Sequence, residues 1–206
     1  MGATRGVVVL VEGPSDVAAV EAVLDSAGLT EGVEVRSMGG VTNIRTALAT
    51  VLGERPAPRV LGLCDEGEVD VVLRAVRAAG APVVSAADLP DLGFHACRGD
   101  LEDELIRAVG AAEAVALLGG LGLEASFERF RRQPAWRGRD LGASLARFAG
   151  AGSGRKVRVG RALARSLPLE RLPEPLARLV AQVAAARDDT TGPSLGTVAA
   201  LPSREG

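Results

Sequence analysis

Two short apolar runs in the first half of the chain each end at an acid. Residues 7–11 are all Val or Leu and precede Glu12, while residues 60–64, apolar around one glycine, precede Asp65. Runs of this length and composition are typical of strands that are buried on both faces of a parallel sheet. We therefore expect two core strands, each of which delivers a carboxylate at its C-terminal end.

Helical patterns alternate with strand patterns up to about residue 110. Gly and Pro separate the segments, so approximate limits can be read from the sequence. Helices are predicted at 15–27, 43–52, 69–79 and 101–109, and further strands at 33–37, 82–85 and 94–97. The alternation predicts an α/β fold, with a mostly parallel, Rossmann-like sheet flanked by helices.

Past residue 110 the pattern is helical throughout. Five helices are predicted, at 111–118, 124–132, 139–149, 156–166 and 172–187. We therefore divide the chain into an α/β domain at 1–110 and a helical appendage at 111–187. Residues 188–206 are rich in Thr, Gly, Pro and Ser, a composition typical of a disordered tail.

The net charge of −2 conceals two opposite regions. Residues 1–104 carry 17 acids and 8 bases, whereas residues 129–165, within the predicted appendage, carry 11 bases and one acid. A basic stretch of that density can bind phosphates, and clustered acids can bind metal. Both regions are equally compatible with solvated surfaces.

The sequence shows no membrane or secretion signal. No apolar run approaches the roughly 20 residues that a membrane-spanning helix requires, and the N-terminus lacks the basic and apolar regions of a signal peptide. Two cysteines are too few for a disulfide scaffold or a zinc cluster. We expect a cytoplasmic protein without membrane association.

Three groups of acids lie where a sheet edge or a helix start is predicted. They are Glu12 with Asp16, Asp65 with Glu66 and Glu68, and Glu102 with Asp103 and Glu104. Clustered carboxylate oxygens suit Mg²⁺ or Mn²⁺. A favourable interaction with the helix dipole is an alternative for Asp16, Glu102 and Asp103, but it explains Glu12 and Asp65 poorly because these end buried strands.

Four segments in order carry a resemblance to a known family. The first two, VEGPSD after a Val-rich strand and LGLCDEGE, resemble the TOPRIM domain, the metal-binding module of primases, topoisomerases and several nucleases. The later two, CRGDLEDELIRAVG and GSGRKVRVGRALA, resemble the C-terminal TOPRIM part of the OLD-family (overcoming lysogenization defect) nucleases. The resemblance covers residues 6 to about 166.

The resemblance implies a role for particular residues. Glu12 matches the motif glutamate, a metal ligand or acid–base group, and Asp16 matches the second acid of that motif. Asp65 matches the first acid of an Asp-x-Asp pair, and Glu102 matches a later metal-binding glutamate. Lys156 matches a lysine that stabilises charge in the transition state. The implied activity is Mg²⁺-dependent cleavage or nicking of DNA.

Two departures from the family pattern stand out. The second acid of Asp-x-Asp would fall at residue 67, which is Gly67, and Glu68 could reach the same ion from one position further on. OLD nucleases also carry an N-terminal ATPase, and ATP binding is not expected within this chain, because GAGSGRK has Arg155 where a phosphate-binding loop requires Gly before the lysine. An ATPase supplied by another chain would fit the resemblance.

Three residue types are rare enough to interpret singly. Lys156 is the one lysine beside 23 arginines, which indicates a site that requires a compact ammonium, although a lysine left on the surface by compositional drift is the alternative. The single histidine, His95, is expected to be packed and hydrogen-bonded. Trp136 is expected to anchor the packing of the helical appendage.

The main hypothesis is a metal-dependent nuclease whose arginines contact the DNA backbone without reading its sequence. The contacting residues are predicted to be Arg131, Arg132, Arg155 and Arg158. The first alternative is a metal-binding or nucleic-acid-binding module that lost catalysis with the Gly67 change. The second is a small TOPRIM nuclease that processes RNA. The oligomeric state is open, and a homodimer is one expectation.

Overall fold

A computed structural model describes residues 6–188 of the chain. Its centre is one sheet of four parallel strands. The strands are β1 (Val7–Val11), β2 (Val33–Ser37), β3 (Arg59–Asp65) and β4 (Phe94–Cys97), in the order β2-β1-β3-β4. All five residues of β1 are buried, as expected for the central position that the uninterrupted apolar run predicts. The predicted α/β fold is confirmed.

Helices flank both faces of this sheet. They are α1 (Pro14–Ser26), α2 (Ile44–Gly53), α3 (Val69–Ala78), α4 (Leu89–Leu92), α5 (Leu101–Val109), α6 (Ala111–Gly120), α7 (Glu124–Arg131), α8 (Leu141–Gly150), α9 (Ser153–Ser166) and α10 (Glu174–Asp188). The nine helices predicted from the sequence are all present, with ends displaced by at most three residues, whereas the short helix α4 was not predicted.

The sheet has a switch point between β1 and β3. From β1 the chain crosses through α1 to β2 on one side, and then through α2 to β3 on the other side. At such a reversal the connections leave in opposite directions and open a crevice at the carboxyl ends of the strands. Glu12 and Asp65 follow the ends of these two neighbouring strands, so the topology brings them together.

Alternation along β1 divides the core into two clusters. Val7, Val9 and Val11 face a large cluster that includes side chains of α1 and of α5 to α10. Val8 and Leu10 face a smaller cluster formed with α2 and α3. Successive residues of a strand point to opposite faces, so a run of five apolar residues supplies both layers.

The helices after residue 110 share the larger core with the sheet. Leu118, Phe127, Leu145, Leu163 and Leu179 are buried in the same cluster as Val9. The region that we predict as an appendage is therefore packed against one face of the sheet. The domain boundary at residue 110 stays a prediction.

The rare aromatic residues concentrate in these helices. Phe130 lies between Trp136 and Phe148, with ring centroids 5.0 and 5.6 Å away, and Phe127 lies 5.2 Å from Phe148. Trp136 thus packs on the helical region, as predicted. The expectation for His95 is also confirmed, since this buried residue lies on β4 with its Nε2 3.0 Å from Oε1 of Gln182 on α10.

The strand predicted at 82–85 is wrong. This segment makes no ladder with the sheet, and Val84 is 82% exposed. Local side chains satisfy its backbone instead: the Asp88 carboxylate accepts the Val84 and Ser85 N–H groups at 2.9 and 2.8 Å, and Arg77 donates to the Val83 carbonyl at 3.0 Å. The apolar pair in the sequence resembled a strand, but only Val83 is buried.

The predicted tail at 188–206 falls outside the described residues, apart from Asp188 at the end of α10. Within residues 6–188, no helix has both the length and the apolar character needed to cross a membrane.

A substitution at Gly62, in the middle of β3, tests how closely neighbouring atoms pack against this strand. A Cβ at this position would lie 2.8 Å from two ring atoms of Phe94 and 3.1 Å from the Leu10 carbonyl oxygen, whose backbone cannot move aside. We expect Gly62→Ala to lower the free energy of unfolding by about 1–3 kcal/mol, measured by urea denaturation. The matched control is Gly67→Ala, whose Cβ would meet nothing within 4 Å. Equal stability of the two variants would contradict the packing described here.

Candidate metal centre

Three carboxylates meet at the carboxyl edge of the sheet. Glu12, Asp65 and Glu68 are each half-buried, and each offers one oxygen such that the three atoms lie within 4.8 Å of one another. They come from the ends of two adjacent strands and from the turn that follows the second. We call these three residues the carboxylate triad.

The backbone around Glu12 is fixed by the loop after β2. The Glu12 carbonyl accepts hydrogen bonds from the Ser37 hydroxyl at 3.2 Å and from the Gly40 N–H at 3.0 Å. Gly40 has a φ of +112°, in the region that favours glycine, so the chain can fold back over the end of β1. These contacts hold the start of the Glu12 side chain beside β3.

Glu68 occupies the place that the Asp-x-Asp pattern assigns to residue 67. Asp65 ends β3, and a short 3₁₀ turn over Glu66–Glu68 leads into α3. Glu66 points to solvent, whereas Glu68 is half-buried and returns its carboxylate to the triad. A Cβ at Gly67 would meet nothing within 4 Å. The position of the missing acid is therefore open space and is not filled by another side chain.

Without a cation, ionisation of Asp65 and Glu68 in the triad is unfavourable. Burial, reinforced by the charges of Glu12, Asp100, Glu68 and Asp16, raises the pKa of Asp65 to about 7. Burial and the charges of Glu12 and Asp16 also raise the pKa of Glu68. In addition, Glu68 Oε2 is buried and lacks a hydrogen-bond partner among the described residues. Carboxylates in this state require a proton or a cation.

Asp16 borders the same site while it caps a helix. It lies in the first turn of α1, and its Oδ2 accepts the Gly13 N–H at 2.9 Å. It also lines the cleft between Glu12 and Asp65, which has a volume of about 10 Å³. Burial raises the pKa of Asp16, and the Gly13 hydrogen bond and Lys156 oppose that shift. Asp16 therefore both caps the start of α1 and contributes a carboxylate to the edge of the site.

The cleft beside the triad is small, and a larger cavity lies elsewhere. The cavity, of about 460 Å³, lies between α1, β2 and α9 and is bordered by the ion pairs Arg161–Glu21 and Arg165–Asp25. Its residues are not those of the triad. The volume of the cleft is close to that of one water-sized sphere, which suits an ion and not an organic cofactor.

Glu102 and Lys156 form a separate pair. Glu102, on α5, is 4% exposed, and its Oε2 lies 3.0 Å from the Lys156 ammonium on α9. Burial raises the pKa of Glu102, although Lys156 acts in the opposite direction. Burial works against the ammonium too, but the charges of Glu102, Asp100 and Asp16 outweigh it and raise the pKa of Lys156. Glu102 lies outside the triad, while Asp16 couples electrostatically to both groups.

Asp100, which precedes the predicted helix at 101–109, was not among the predicted site residues, but its charge acts on the site. Its Oδ1 does accept the Asp103 N–H at 2.7 Å at the start of α5. Its charge, however, also raises the pKa values of Asp65, Glu102 and Lys156. The signal available in the sequence was its position three residues after β4, the strand that neighbours β3.

The four arginines predicted to contact DNA differ in their surroundings. Arg155 stacks on Phe148 at 4.1 Å and donates to the Phe148 carbonyl at 2.7 Å, and Arg158 donates to the Leu121 carbonyl at 2.5 Å. Arg131 Nε is buried without a hydrogen-bond partner among the described residues, and Arg132 is exposed. Of these four, Arg155 has the clearest structural role, and DNA contact by all of them stays a prediction.

The residues of the triad fit a divalent ion of the Mg²⁺ class. Three oxygen ligands converge, one buried oxygen of Glu68 lacks a hydrogen-bond partner, and burial raises the pKa of Asp65 to about 7, so an ion competes with a proton there. Hard divalent cations prefer such oxygen sets. Binding of Mg²⁺ or Mn²⁺ by these residues, with Asp16 beside them, remains a prediction.

Solved structures share this architecture. The C-terminal region of the Burkholderia pseudomallei OLD protein matches with a TM-score of 0.64 at 16% identity, over 88% of this chain and 98% of that one. The C-terminal region of the Xanthomonas campestris pv. campestris OLD protein matches with a TM-score of 0.62 at 21% identity, over 89% and 97%. No protein-family model and no curated protein sequence matches the chain. At these identities the comparison establishes the fold, and the OLD-like, TOPRIM-type architecture is as predicted.

The raised pKa of Asp65 predicts a pH-dependent stability. The folded chain keeps this proton up to about pH 7, whereas the unfolded chain loses it near its ordinary 3.8. The folded state thus binds more protons in that window, and this contribution to stability is lost as the pH rises through it. We expect the thermal midpoint of the metal-free protein to fall from about pH 5 to about pH 8, and Asp65→Asn to flatten that slope.

Divalent ions should restore the stability that is lost as the pH rises, because they bind the ionised carboxylates of the triad. We expect Mn²⁺ to raise the thermal midpoint more at about pH 8 than at about pH 5, since fewer protons then compete. Glu66→Gln is the matched control and should behave as the wild type. A Mn²⁺ effect that is independent of pH, or equal in Asp65→Asn, contradicts the assignment.

Proposed function

We propose that this protein is a metal-dependent nuclease that cleaves or nicks DNA. The observation that carries the proposal is the carboxylate triad at the switch point of the sheet, with the ion pair between buried Glu102 and the partly exposed Lys156 near it. The shared fold with the C-terminal regions of two OLD proteins supports it. In this proposal the carboxylate triad binds a divalent cation, which prefers oxygen ligands, and the Glu102–Lys156 pair presents an ammonium.

The triad residues would hold the ion. A bound Mg²⁺ or Mn²⁺ supplies Lewis-acid polarisation of a phosphodiester and lowers the pKa of bound water. Glu12, Asp65 and Glu68 fix its position, and Asp16 adds negative charge at the cleft. Because burial raises the pKa of Asp65 to about 7, part of the population carries a proton at neutral pH, which a bound cation would displace.

Lys156 would act on the phosphate itself. Negative charge grows on the non-bridging and leaving oxygens as a phosphodiester is cleaved, and a pre-positioned ammonium offsets it. Lys156 is about one-third exposed, so its ammonium is partly accessible while Glu102 holds it. An arginine in this place would present a broader, planar cation with different geometry.

The basic stretch at 129–165 supports a polynucleotide substrate. Its arginines lie on α7, α8, α9 and the connecting segments, and several are exposed. Contacts of this type bind the phosphate backbone irrespective of sequence and weaken with salt. Four phenylalanines, one tryptophan and no tyrosine offer little for base stacking.

One observation favours a second candidate function. Gly67 lacks the carboxylate that the Asp-x-Asp pattern would supply, so the protein could bind metal and DNA without cleaving. It would then serve as a binding module, with an ATPase partner acting in trans. The cleavage assay below separates the two functions.

Nicking of supercoiled plasmid tests the proposal directly. We expect wild-type protein with Mg²⁺ or Mn²⁺ to produce open circles, and Glu12→Gln and Lys156→Met each to lower the rate by at least about 100-fold. The matched controls are Glu66→Gln beside the triad and Arg178→Met on α10, outside the basic stretch, which should retain the wild-type rate. Wild-type gel shifts without nicking would identify the binding module, and cleavage of structured RNA alone would identify an RNA nuclease.

Variants of two arginines distinguish a loss of DNA binding from a loss of stability. Arg132→Ala should weaken DNA binding and reduce the salt slope by about one, because an exposed phosphate contact is lost, while thermal stability is unchanged. Arg155→Ala should lower the free energy of unfolding by about 1–2 kcal/mol, because the guanidinium packs on Phe148. Fluorescence anisotropy at several salt concentrations and thermal melts measure the two effects. A stable Arg155→Ala variant would contradict the structural role.

A further inference from the structure

We propose that the outer edge of β2 binds a second copy of this chain, and that the two β2 strands pair antiparallel about a two-fold axis at Val35. The two four-stranded sheets would then form one continuous sheet. The proposal goes beyond the nuclease function and does not depend on it. It is carried by an open strand edge, by cavities on both sides of that edge, and by charges along β2 that match in one register.

The outer edge of β2 has backbone groups without a neighbouring strand. Within residues 6–188, β2 pairs with β1 alone. The Met38 N–H donates to the Val11 carbonyl at 2.8 Å, so Met38 and every second residue before it bond to β1. The residues between them direct their N–H and C=O groups outward, and these are Val33, Val35 and Ser37. An edge of this kind is a template for another strand.

Space for an added strand lies on both sides of this edge. On the side of α1 and α9, Val33 and Val35 border the cavity of about 460 Å³. On the side of α2, Arg36 and Ser37 border a second cavity, of about 290 Å³. The side chains of an added strand would point alternately to these two sides. The two cavities can therefore receive both sets of side chains.

The charges of β2 are complementary to those of a second β2. With Val35 on the two-fold axis, Glu34 of each copy lies opposite Arg36 of the other. Opposite charges directly across an antiparallel pair are stabilising, and a two-fold interface makes the contact twice. A shift of the register by two residues would place Glu34 opposite Glu34, or Arg36 opposite Arg36, which is unfavourable. The charges therefore select both the partner and the register.

Arg36 is already positioned for this contact. Its Nε and Nη2 donate to the two carboxylate oxygens of Glu34 at 2.7 and 2.8 Å, and its Nη1 donates to Glu54 at 2.8 Å. A guanidinium has five N–H groups, so some remain for Glu34 of a second copy. The Glu34 side chain is 56% exposed, and a carboxylate can accept hydrogen bonds from two guanidinium groups.

The backbone contributes hydrogen bonds at the axis. The N–H and C=O of Val35 would pair with the C=O and N–H of Val35 in the second copy, as in a hydrogen-bonded antiparallel pair. Further along, the Val33 carbonyl of one copy would accept the Ser37 N–H of the other, while the Val33 N–H donates locally to the Thr30 carbonyl at 3.3 Å. A strand of five residues buries little area, so we expect a dimer with a dissociation constant of about 1–10 μM.

Sedimentation of the full chain at concentrations between about 1 and 100 μM tests the proposal. We expect the wild type to change from monomer to dimer over this range. Glu34→Arg should stay monomeric, because it places an arginine opposite Arg36 of the second copy. Glu113→Arg makes the same change of charge at an exposed residue of α6 and should dimerise as the wild type does. Circular dichroism checks that each variant is folded. A monomeric wild type, or a dimer of folded Glu34→Arg, contradicts the proposal.

A cysteine at residue 35 tests the register. Val35→Cys would lie opposite itself, at the Cα separation of about 5.5 Å that a disulfide can span. Val33→Cys is the matched control, because its two copies would lie about 13 Å apart along the strands. We expect mild oxidation to link Val35→Cys into a covalent dimer and to leave Val33→Cys unlinked. Both native cysteines are buried. Linkage of Val33→Cys in place of Val35→Cys contradicts the register.

Other occupants of the edge would give different results. If residues 189–206 or another part of the chain cover β2, the wild type stays monomeric while its Val35 N–H is protected from hydrogen exchange. If the protein dimerises through another surface, Glu34→Arg dimerises as the wild type does and Val35→Cys does not link. Either result overturns the proposal and leaves the nuclease function untouched, whereas a dimer that does not nick DNA contradicts the nuclease alone.

Discussion

The partial burial of clustered carboxylates is the constraint on which the rest of the site depends. Asp65 is partly removed from water and lies beside the charges of Glu12 and Glu68, so its ionisation is unfavourable without positive charge. The fold creates this situation because neighbouring parallel strands end at the same edge. Cation binding, proton release and the pH response all follow from that unfavourable arrangement.

The scaffold withstands the repulsion because its core lies close beneath. β1 is buried along its whole length, and apolar clusters on both faces hold its end in place. Hydrogen bonds from Ser37 and Gly40 to the Glu12 carbonyl fix the first residue beyond the strand. The site is thus rigid where its charges are least favourable, as expected for a preorganised centre.

The sequence predicted the fold class and most elements because their signals are local. Residues 7–11 and 60–64 had the composition of buried strands, and the helices had clear periodicity. Residues 82–85 were wrongly predicted because a pair of valines resembles a strand, whereas the backbone hydrogen bonds that Asp88 accepts and Arg77 donates depend on the folded chain. Strand propensity alone does not show that side chains compete with a neighbouring strand for the backbone hydrogen bonds of a segment.

For the site, the sequence indicated the acids but not their grouping. That Glu12, Asp65 and Glu68 converge while Glu102 turns to Lys156 depends on how α5 and α9 pack, which spacing does not encode. Asp100 caps α5, which is a local role, and its effect as a charge near Asp65 depends on the folded chain. Arg155 was similarly assigned to DNA, while its contact with Phe148 lies within the helical region.

The pairing of Glu102 with Lys156 has a consequence for how this fold can be recombined. The carboxylate belongs to the segment before residue 110 and the ammonium to the segment after it, and α9 lies against α1 over the same buried core. A chimaera that exchanged the helical half for that of a distant relative would have to match both the charge partner and the helix packing at once. The two halves are therefore expected to diverge together, as one inherited unit.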